Sequence, residues 1–513
     1  MWILDRVRSP APERVLAAAT GVVAAAVVLG VGQFVAAFLD RAAGPLLAVG
    51  SAVVDHTPAP VREFAIDTFG TGDKTALIVG MCVVIAVLAA VAGLLERPRR
   101  PWGSVLFVAF GIVGVVAATT RAGAGVAWFL PTVVGVAAGV AVLRAGTGRL
   151  AAPRPPRVPG ARTDRRTVLL GLTGAGAGAV LAGVVGTVLD HLLNDVGRDR
   201  SGFAVPPATR SLDPPGATGD APAGFITPPS DFYRIDTALR PPQLTAERWS
   251  LRIHGMVDRE VRVDMAMLRA MPAVEKTVTL TCVSNEVGGD LIGNARWIGY
   301  PLRDLLAMAG PSGDADMVLS TSDDGFTAGT PLQALTDDRG ALLAVGMDGQ
   351  PLPVEHGYPA RMVVPGLYGY VSATKWVVSL EVTRFDRATA YWTQRGWAEK
   401  GPIKTGSRID VPRSGDTVGR GRVTVAGVAW AQGRGINGVQ IRVDDGPWQA
   451  ATMLAPDMLD AWRLWRWTWD ASPGDHTLTV RAFDGDGRQQ SAIVAPPIPD
   501  GASGLHSVDV TVT

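Results

Sequence analysis

The sequence predicts a multi-domain chain: about five N-terminal transmembrane α-helices, then an α+β domain, then an all-β sandwich of the immunoglobulin kind. Three observations predict it. Apolar residues are concentrated before residue 190, short β-type and helical runs mix from Ser230, and near Asp410 alternating runs divided by turn signals take over. The expected boundaries are 1–190 for the anchor, 191–229 for a tether, 230–405 for the α+β domain and 406–513 for the sandwich. A net charge of +1 gives no argument for nucleic acid. With 19% charged and 47% hydrophobic residues, the composition argues for membrane segments instead.

Five apolar runs, Val15 to Leu39, Thr75 to Leu95, Val105 to Thr120, Val126 to Leu143 and Val168 to Leu189, are each about long enough for a hydrocarbon core of roughly 30 Å. Basic residues mark one side: Arg97, Arg99 and Arg100 after the second run, and Arg144, Arg149, Arg154, Arg157, Arg162, Arg165 and Arg166 before the last. The Lys/Arg excess belongs in the cytoplasm, so the expectation is a multi-pass cell-membrane protein with its N-terminus cytoplasmic and everything after Leu189 extracytoplasmic. The stretch TDRRTVLLGLTGAGAGAV reads either as a twin-arginine export signal or as an ordinary positive-inside flank. Paired histidines at membrane depth, which a haem would need, are lacking, with His56 and His191 at the outer ends. The anchor is therefore expected to hold the outer part in place and to carry no chemistry.

The Pro, Gly and Ala-rich stretch from Asp190 to Pro229 has no periodicity and reads as a flexible tether. After it, Trp249 to Val257, Thr277 to Val283, Met317 to Ser320 and Arg361 to Pro365 read as strands, and Val263 to Met271 and Leu302 to Ala309 as helices. Met265, Met267 and Met271 are read as core residues. In the sandwich, Trp462, Trp465, Trp467 and Trp469 lie too close together for one small core, which suggests a contact surface for another domain or subunit.

Two cysteines, Cys82 and Cys282, give neither a disulfide framework nor a CxxC pattern. Cys282 ends a β-branched run, TVTLTCVSN, ahead of the glycine-rich NEVGGDLIG, so it is placed at a strand end. Local pattern leaves two readings of its thiol, a buried inert one and a metal ligand.

The blocks TCVSN with ARWIGYPLRDLL, then MDGQPLPVEHGYPARMVVPGLYGYVSATKW, and VAGVAW with AWRLW resemble the sulfite oxidase family of molybdopterin-dependent oxidoreductases over roughly residues 230–513. By that resemblance Cys282 is the thiolate ligand to molybdenum, beside a single pterin. His356, Arg361 and Lys375 then hold the pterin and its phosphate, with Tyr233, Asp236, Thr237, Ser284 and Asn285 as further cofactor contacts. Arg234 in DFYRIDT and Arg296 in NARW would attract an anionic substrate beside the metal, which makes Cys282, Arg234 and Arg296 the expected catalytic set. The cofactors implied are molybdopterin and molybdenum. The partners implied are a small-molecule substrate, the membrane, a cytochrome or quinone-linked electron carrier and a second copy joined through the sandwich.

The chain departs from the family where DGFTAGTP carries Phe326 in place of a tyrosine and where Arg434 only approximates the sandwich arginine of the substrate pocket. Both departures bear on sulfite as substrate and leave the cofactor intact. The expected function is two-electron oxygen-atom transfer on a small, anionic or sulfur-containing substrate. The rival classes are a non-catalytic binding or scaffold protein that keeps the fold without the metal, and a cysteine-nucleophile enzyme needing His254 or His356 as base.

Overall fold

The computed structural model describes residues 11–58, 61, 64, 68–69, 72–121, 124–151, 163–193, 196–215 and 221–513. They form two compact units: one ends at Asp195 and includes Thr237–Arg240, the other comprises Val196–Asp236 and Pro241–Thr513.

The first unit is helical: α1 (Ala11–Ala36), α2 (Pro45–His56), α3 (Asp73–Leu95), α4 (Trp102–Thr119), α5 (Leu130–Ala151) and α6 (Thr163–Leu193). All except α2 are long and apolar enough to cross a membrane. The fourth run differs from its expected limits, since the helix starts at Leu130 and runs on to Ala151. Small residues let the helices approach closely. A Cβ on Gly21 of α1 would stand 1.9 Å from the Ala89 carbonyl oxygen of α3, so only glycine fits that crossing. Where the chain turns between α3 and α4, buried Glu96 accepts from the backbone N–H and the hydroxyl of Ser104. Of the basic stretch, Arg154, Arg157 and Arg162 lie outside the described residues, and Arg165 and Arg166 fall on the backbone at the start of α6.

The second unit opens with the short helix α7 (Val196–Gly202) and the two-residue strand β1 (Arg210–Ser211). Here the expected flexible tether is corrected. Val196, Phe203 and Phe225 are buried in the unit's core. Asp199 accepts from Tyr358 Oη and from the Ala246 N–H, and Arg200 donates to the carbonyls of Pro351 and Leu352. Proline and glycine removed the periodicity, but a few widely spaced apolar anchors and backbone-directed charges suffice to fix an irregular segment.

Two sheets make the α+β part. One has the order β9 (Gln350–Pro351), β8 (Leu342–Met347), β5 (Ile292–Pro301), β4 (Val274–Thr281), β1, with β10 (Arg361–Val363) also paired to β8. The other has the order β3 (Val261–Asp264), β2 (Ser250–Gly255), β11 (Val377–Thr383), β6 (Met317–Ser322), β7 (Thr327–Pro331). The expected helix from Val263 is strand until Asp264, whose carboxylate caps the short helix α8 (Met265–Arg269). Met265 is a core residue, whereas Met267 points to solvent. The helix α9 (Leu302–Ala309) buries Leu302, Leu305, Leu306 and Ala309 on one face, as its spacing predicts.

The C-terminal part is two packed sheets: β12 (Gly406–Val411), β14 (Gly421–Trp430), β18 (Arg463–Ala471), β17 (Thr452–Met453), and β13 (Thr417–Val418), β20 (His506–Val512), β19 (Gly474–Asp484), β15 (Ile436–Val443), β16 (Gln449–Ala450). Trp465, Trp467 and Trp469 alternate along β18 and point to one face, where Trp465 and Trp469 are buried and Trp467 packs against them. One core thus takes three of the four tryptophans and not all of them, in line with the expectation. Trp462 does serve a neighbouring domain, buried in the α+β core with its indole N–H on the Phe225 carbonyl.

Strand β4 is where the two parts meet. Beyond Glu275 it has β5 on one side only, and its free edge is occupied by Asp213, which accepts from Thr277 N–H, and by the Asp460 carbonyl, which accepts from Thr279 N–H. Lys276 and Asp460 form a buried ion pair at 2.9 Å across the same seam. Asp460→Ala is expected to cost about 3–5 kcal/mol, because it strands a buried ammonium. Urea unfolding of the full chain checks this, and a loss below about 1 kcal/mol would mean that Lys276 finds water.

Candidate functional site

Cys282 follows directly on β4. Its N–H donates to the Leu291 carbonyl and its carbonyl accepts from Asn285 N–H, so residues 282–291 close into a loop. Asn285 is buried and braces that loop from within, its side-chain oxygen taking the Leu291 N–H. Gly288 has φ +80° and lies against the His506 ring, where a Cβ would come within 2.2 Å of the imidazole. Arg408 donates to the Gly289 carbonyl. The sandwich thus grips the cysteine loop from outside.

The thiol is buried, which pushes its pKa up, and it is opposed by the N–H groups of Ser284 and Val283 and the Ser284 hydroxyl. Burial favours the neutral thiol, while these donors favour the thiolate. A metal would displace the proton and meet an anion already supplied with donors.

Tyr233 connects this thiol to a group of cations. It stacks on Phe232, and its hydroxyl is raised in pKa by burial and by Cys282, with Arg361 opposing. Arg361 is buried, donates to the carbonyls of His356 and Ala373, and lies 5.1 Å from the centre of the Trp297 ring. It has no carboxylate partner among the described residues, and burial pulls it down to about 10. Lys375 donates to Asp236 at 2.7 Å and to the Glu355 carbonyl, and burial pulls it down to about 8. Asp236 also accepts from the half-exposed Arg234. Among the described residues, Lys375 and Arg234 thus share the Asp236 carboxylate while Arg361 has none, a surplus of positive charge suited to an anionic ligand such as a phosphate.

His356 is buried beside them, with Nε2 3.1 Å from the Pro229 carbonyl, which makes that nitrogen the protonated one. Burial, Arg361 and Lys375 push it down to about 4. It is neutral in the folded protein at working pH, whereas an unfolded chain protonates it near the ordinary 6.5. Between those values the unfolded state binds the extra proton, so stability falls as pH drops from about 6.5 to about 4. This group contributes about 3 kcal/mol of that loss. His356→Gln is expected to flatten the slope of unfolding free energy in this window, and an unchanged slope would assign it to other groups.

The expected site residues separate into three groups. Cys282, Ser284 and Asn285 sit on one loop, and Tyr233, Arg234, Asp236, His356, Arg361 and Lys375 form the adjoining cationic group. Arg296 does not join them, which corrects its expected catalytic place. It pairs with Thr277, five residues before Cys282, about 17 Å along the strand. Its side chain also takes the opposite sheet face from Trp297, on which Arg361 stacks. Its N–H and carbonyl are tied to Asp348. Thr237 begins the segment Thr237–Arg240, which belongs to the helical unit, so it is not assigned to the site.

Sequence reasoning missed Tyr368, which is buried and electrostatically coupled to Cys282. With Thr281, Asn285, Lys404, Trp430 and Gln490, it lines a narrow cleft of about 30 Å³ beside the cysteine loop. Its signal was present in the GLYGY run. Phe326 packs on Tyr391, and Arg434 is ion-paired to Asp484 at 3.0 Å.

Residues 238–392 match the oxidoreductase molybdopterin binding domain family. The mitochondrial sulfite oxidase of Macaca fascicularis is 31% identical over 53% of this chain, and that of Homo sapiens 30% over the same share. An uncharacterized oxidoreductase, YuiH of Bacillus subtilis, is 30% identical over 74% of its own length. The chain belongs to the sulfite oxidase family of molybdopterin-dependent oxidoreductases. It spans 58% of the length of the two mitochondrial sulfite oxidases. The fold is shared with the sulfane dehydrogenase SoxCD from Paracoccus pantotrophus, at a TM-score of 0.50, 24% identity and coverage of 57% of this chain and 85% of that one.

The residues fit the cofactor of the sulfite oxidase family. A soft sulfur donor is available for molybdenum, and the buried Arg361, which has no carboxylate partner among the described residues, calls for an anion such as the pterin phosphate.

Proposed function

We propose that the chain is a membrane-anchored oxidoreductase, its catalytic part outside the cell membrane, that uses molybdopterin for two-electron oxygen-atom transfer on a small, anionic or sulfur-containing substrate. The observation that carries this reading is the buried Cys282 thiol at the end of β4 together with the buried Arg361 guanidinium, which donates to the carbonyls of His356 and Ala373 and has no carboxylate partner among the described residues. Cys282 would hold the metal. Arg361, Lys375 and His356 would hold the pterin and its phosphate, with Asp236 fixing the ammonium of Lys375 and Tyr233 filling the wall between the two ends. When bound, the cofactor supplies the oxygen-atom transfer and stores the two electrons.

The chain's own part is binding and orientation. The N–H groups of Val283 and Ser284 hold the thiolate form, and closure of the 282–291 loop by Leu291 and Asn285 fixes its direction. Half-exposed Arg234, paired with Asp236, would attract an approaching anion. Five apolar helices and the Lys/Arg pattern support the anchor and its orientation, and a cytochrome or quinone-linked carrier would take the electrons.

Molybdenum analysis of the full chain, purified from a host that makes the cofactor, tests the reading, with fluorescence of the oxidised pterin as the second measure. About one metal and one pterin per chain are expected. Active protein free of molybdenum would overturn the reading.

A further inference from the structure

The helical unit contains a groove that the anchoring role leaves unused. This groove of about 550 Å³, open on one side, lies between α1, α2, α3, α4 and α5, walled by residues such as Val28, Leu46, Leu88 and Phe110. Among the described residues, no charged side chain lines it, and Thr132 is the one hydroxyl in its wall. Thr132 is buried, and its Oγ1 has no hydrogen-bond partner among the described residues. Thr132 is the third residue of α5, so no carbonyl four residues back lies within the helix to receive its proton. A hydroxyl left unmade in an apolar enclosure calls for an acceptor carried by a ligand.

The ligand's chemistry follows from the groove. It needs a long hydrocarbon part, an acceptor near one end of the bundle, and no charge. A phospholipid would bring a phosphate into a wall that offers it no cation. The volume of about 550 Å³ falls within the roughly 300–1,000 Å³ of clefts that hold drug-sized ligands, room for a ring and the first part of a tail that continues through the open mouth. We infer that the groove binds an isoprenoid quinone, a ring carbonyl accepting from Thr132 Oγ1 and the prenyl tail lying along α3 and α4.

The end at which Thr132 stands can be read from the packing. Along α1, Gly32 lies against Pro131 and Gly139 against Ala24, so α5 runs antiparallel to α1, while Gly30 against Ala179 and Gly186 against Phe34 make α6 parallel to it. The first residues of α5 and the last of α6 therefore share one end of the bundle. The ring would sit at the end of the bundle where α6 finishes. The inference rests on the oxidoreductase reading, which requires an electron carrier, and it names a membrane-soluble one.

The test uses the full chain in detergent, with solvent extraction and mass spectrometry for bound quinone and titration with decyl-tailed benzoquinone and naphthoquinone analogues. Wild type is expected to bring down close to one quinone per chain and to bind an analogue saturably. Thr132→Val, nearly the same shape without the donor, should weaken binding about five- to tenfold. Gly80→Phe should abolish it, since a Cβ on Gly80 meets nothing within 4 Å and the ring can enter the groove. Recovery of phospholipid alone without saturable quinone binding, or Thr132→Val binding as wild type, would overturn the inference. Molybdenum content of the same preparations separates the two readings. Metal without quinone binding sinks the groove alone, and quinone binding without metal sinks the molybdenum reading alone.

Discussion

Cys282→Ser is expected to reduce turnover by about a thousandfold, some 4 kcal/mol in barrier, while the chain stays folded. A serine hydroxyl fits the space and can accept from the same Val283 and Ser284 N–H groups, so the loop has no reason to open. What it lacks is an accessible anion: a thiol ordinarily ionises near 8.5 and a coordinating one is deprotonated outright, whereas a hydroxyl stays neutral. The checks are oxidation of sulfite and other small sulfur compounds with an artificial acceptor, and the visible absorption of a thiolate bound to molybdenum. Both signals should vanish together while thermal unfolding changes little. Turnover retained in Cys282→Ser would mean that the thiol is only a core residue.

Arg361→Met is expected to leave the cofactor-free protein as stable as wild type, or more so, and to lower pterin and molybdenum content at least tenfold. The two effects have opposite causes. Desolvation without a countercharge is unfavourable in the empty protein, and burial already pulls the guanidinium down to about 10. A methionine of similar reach keeps the contact with Trp297 and removes that cost. In the loaded protein the same change deletes charge-assisted hydrogen bonds of roughly 1.5–3 kcal/mol each. Thermal unfolding of the apo protein and metal analysis of the loaded one read the two separately. A fall in melting temperature with cofactor content unchanged would assign Arg361 to bracing the His356 and Ala373 carbonyls instead.

Legibility followed the reach of the interactions. The five long helices were visible because hydrophobic length needs no partner to declare itself, and the strand carrying Cys282 because β-branching and the following glycines mark its end. The cationic group was visible only through a block resemblance, since His356, Arg361 and Lys375 taken singly are unremarkable surface types. Arg296 misled because nearness to Cys282 in sequence was taken for nearness in space; strand register and face alternation put it elsewhere. Arg434 could not be judged without Asp484, fifty residues away. Counting the tryptophans around β18 gave the right outcome, since Trp462 went to the neighbouring domain, but alternation along one strand is what lets a narrow core hold the other three.

The strap before Ser230 has a practical consequence for where the chain can be cut. A soluble version beginning at residue 230, the boundary that composition suggests, would leave empty the positions of Val196, Phe203 and Phe225 and remove the Pro229 carbonyl that fixes His356. Exposed core and a loosened imidazole would together favour aggregation and poor cofactor retention. Beginning at Val196 keeps the Asp199 and Arg200 bonds to Tyr358, Pro351 and Leu352. The natural excision point therefore lies some thirty residues upstream of the apparent one, and α7 is the catalytic domain's own first element.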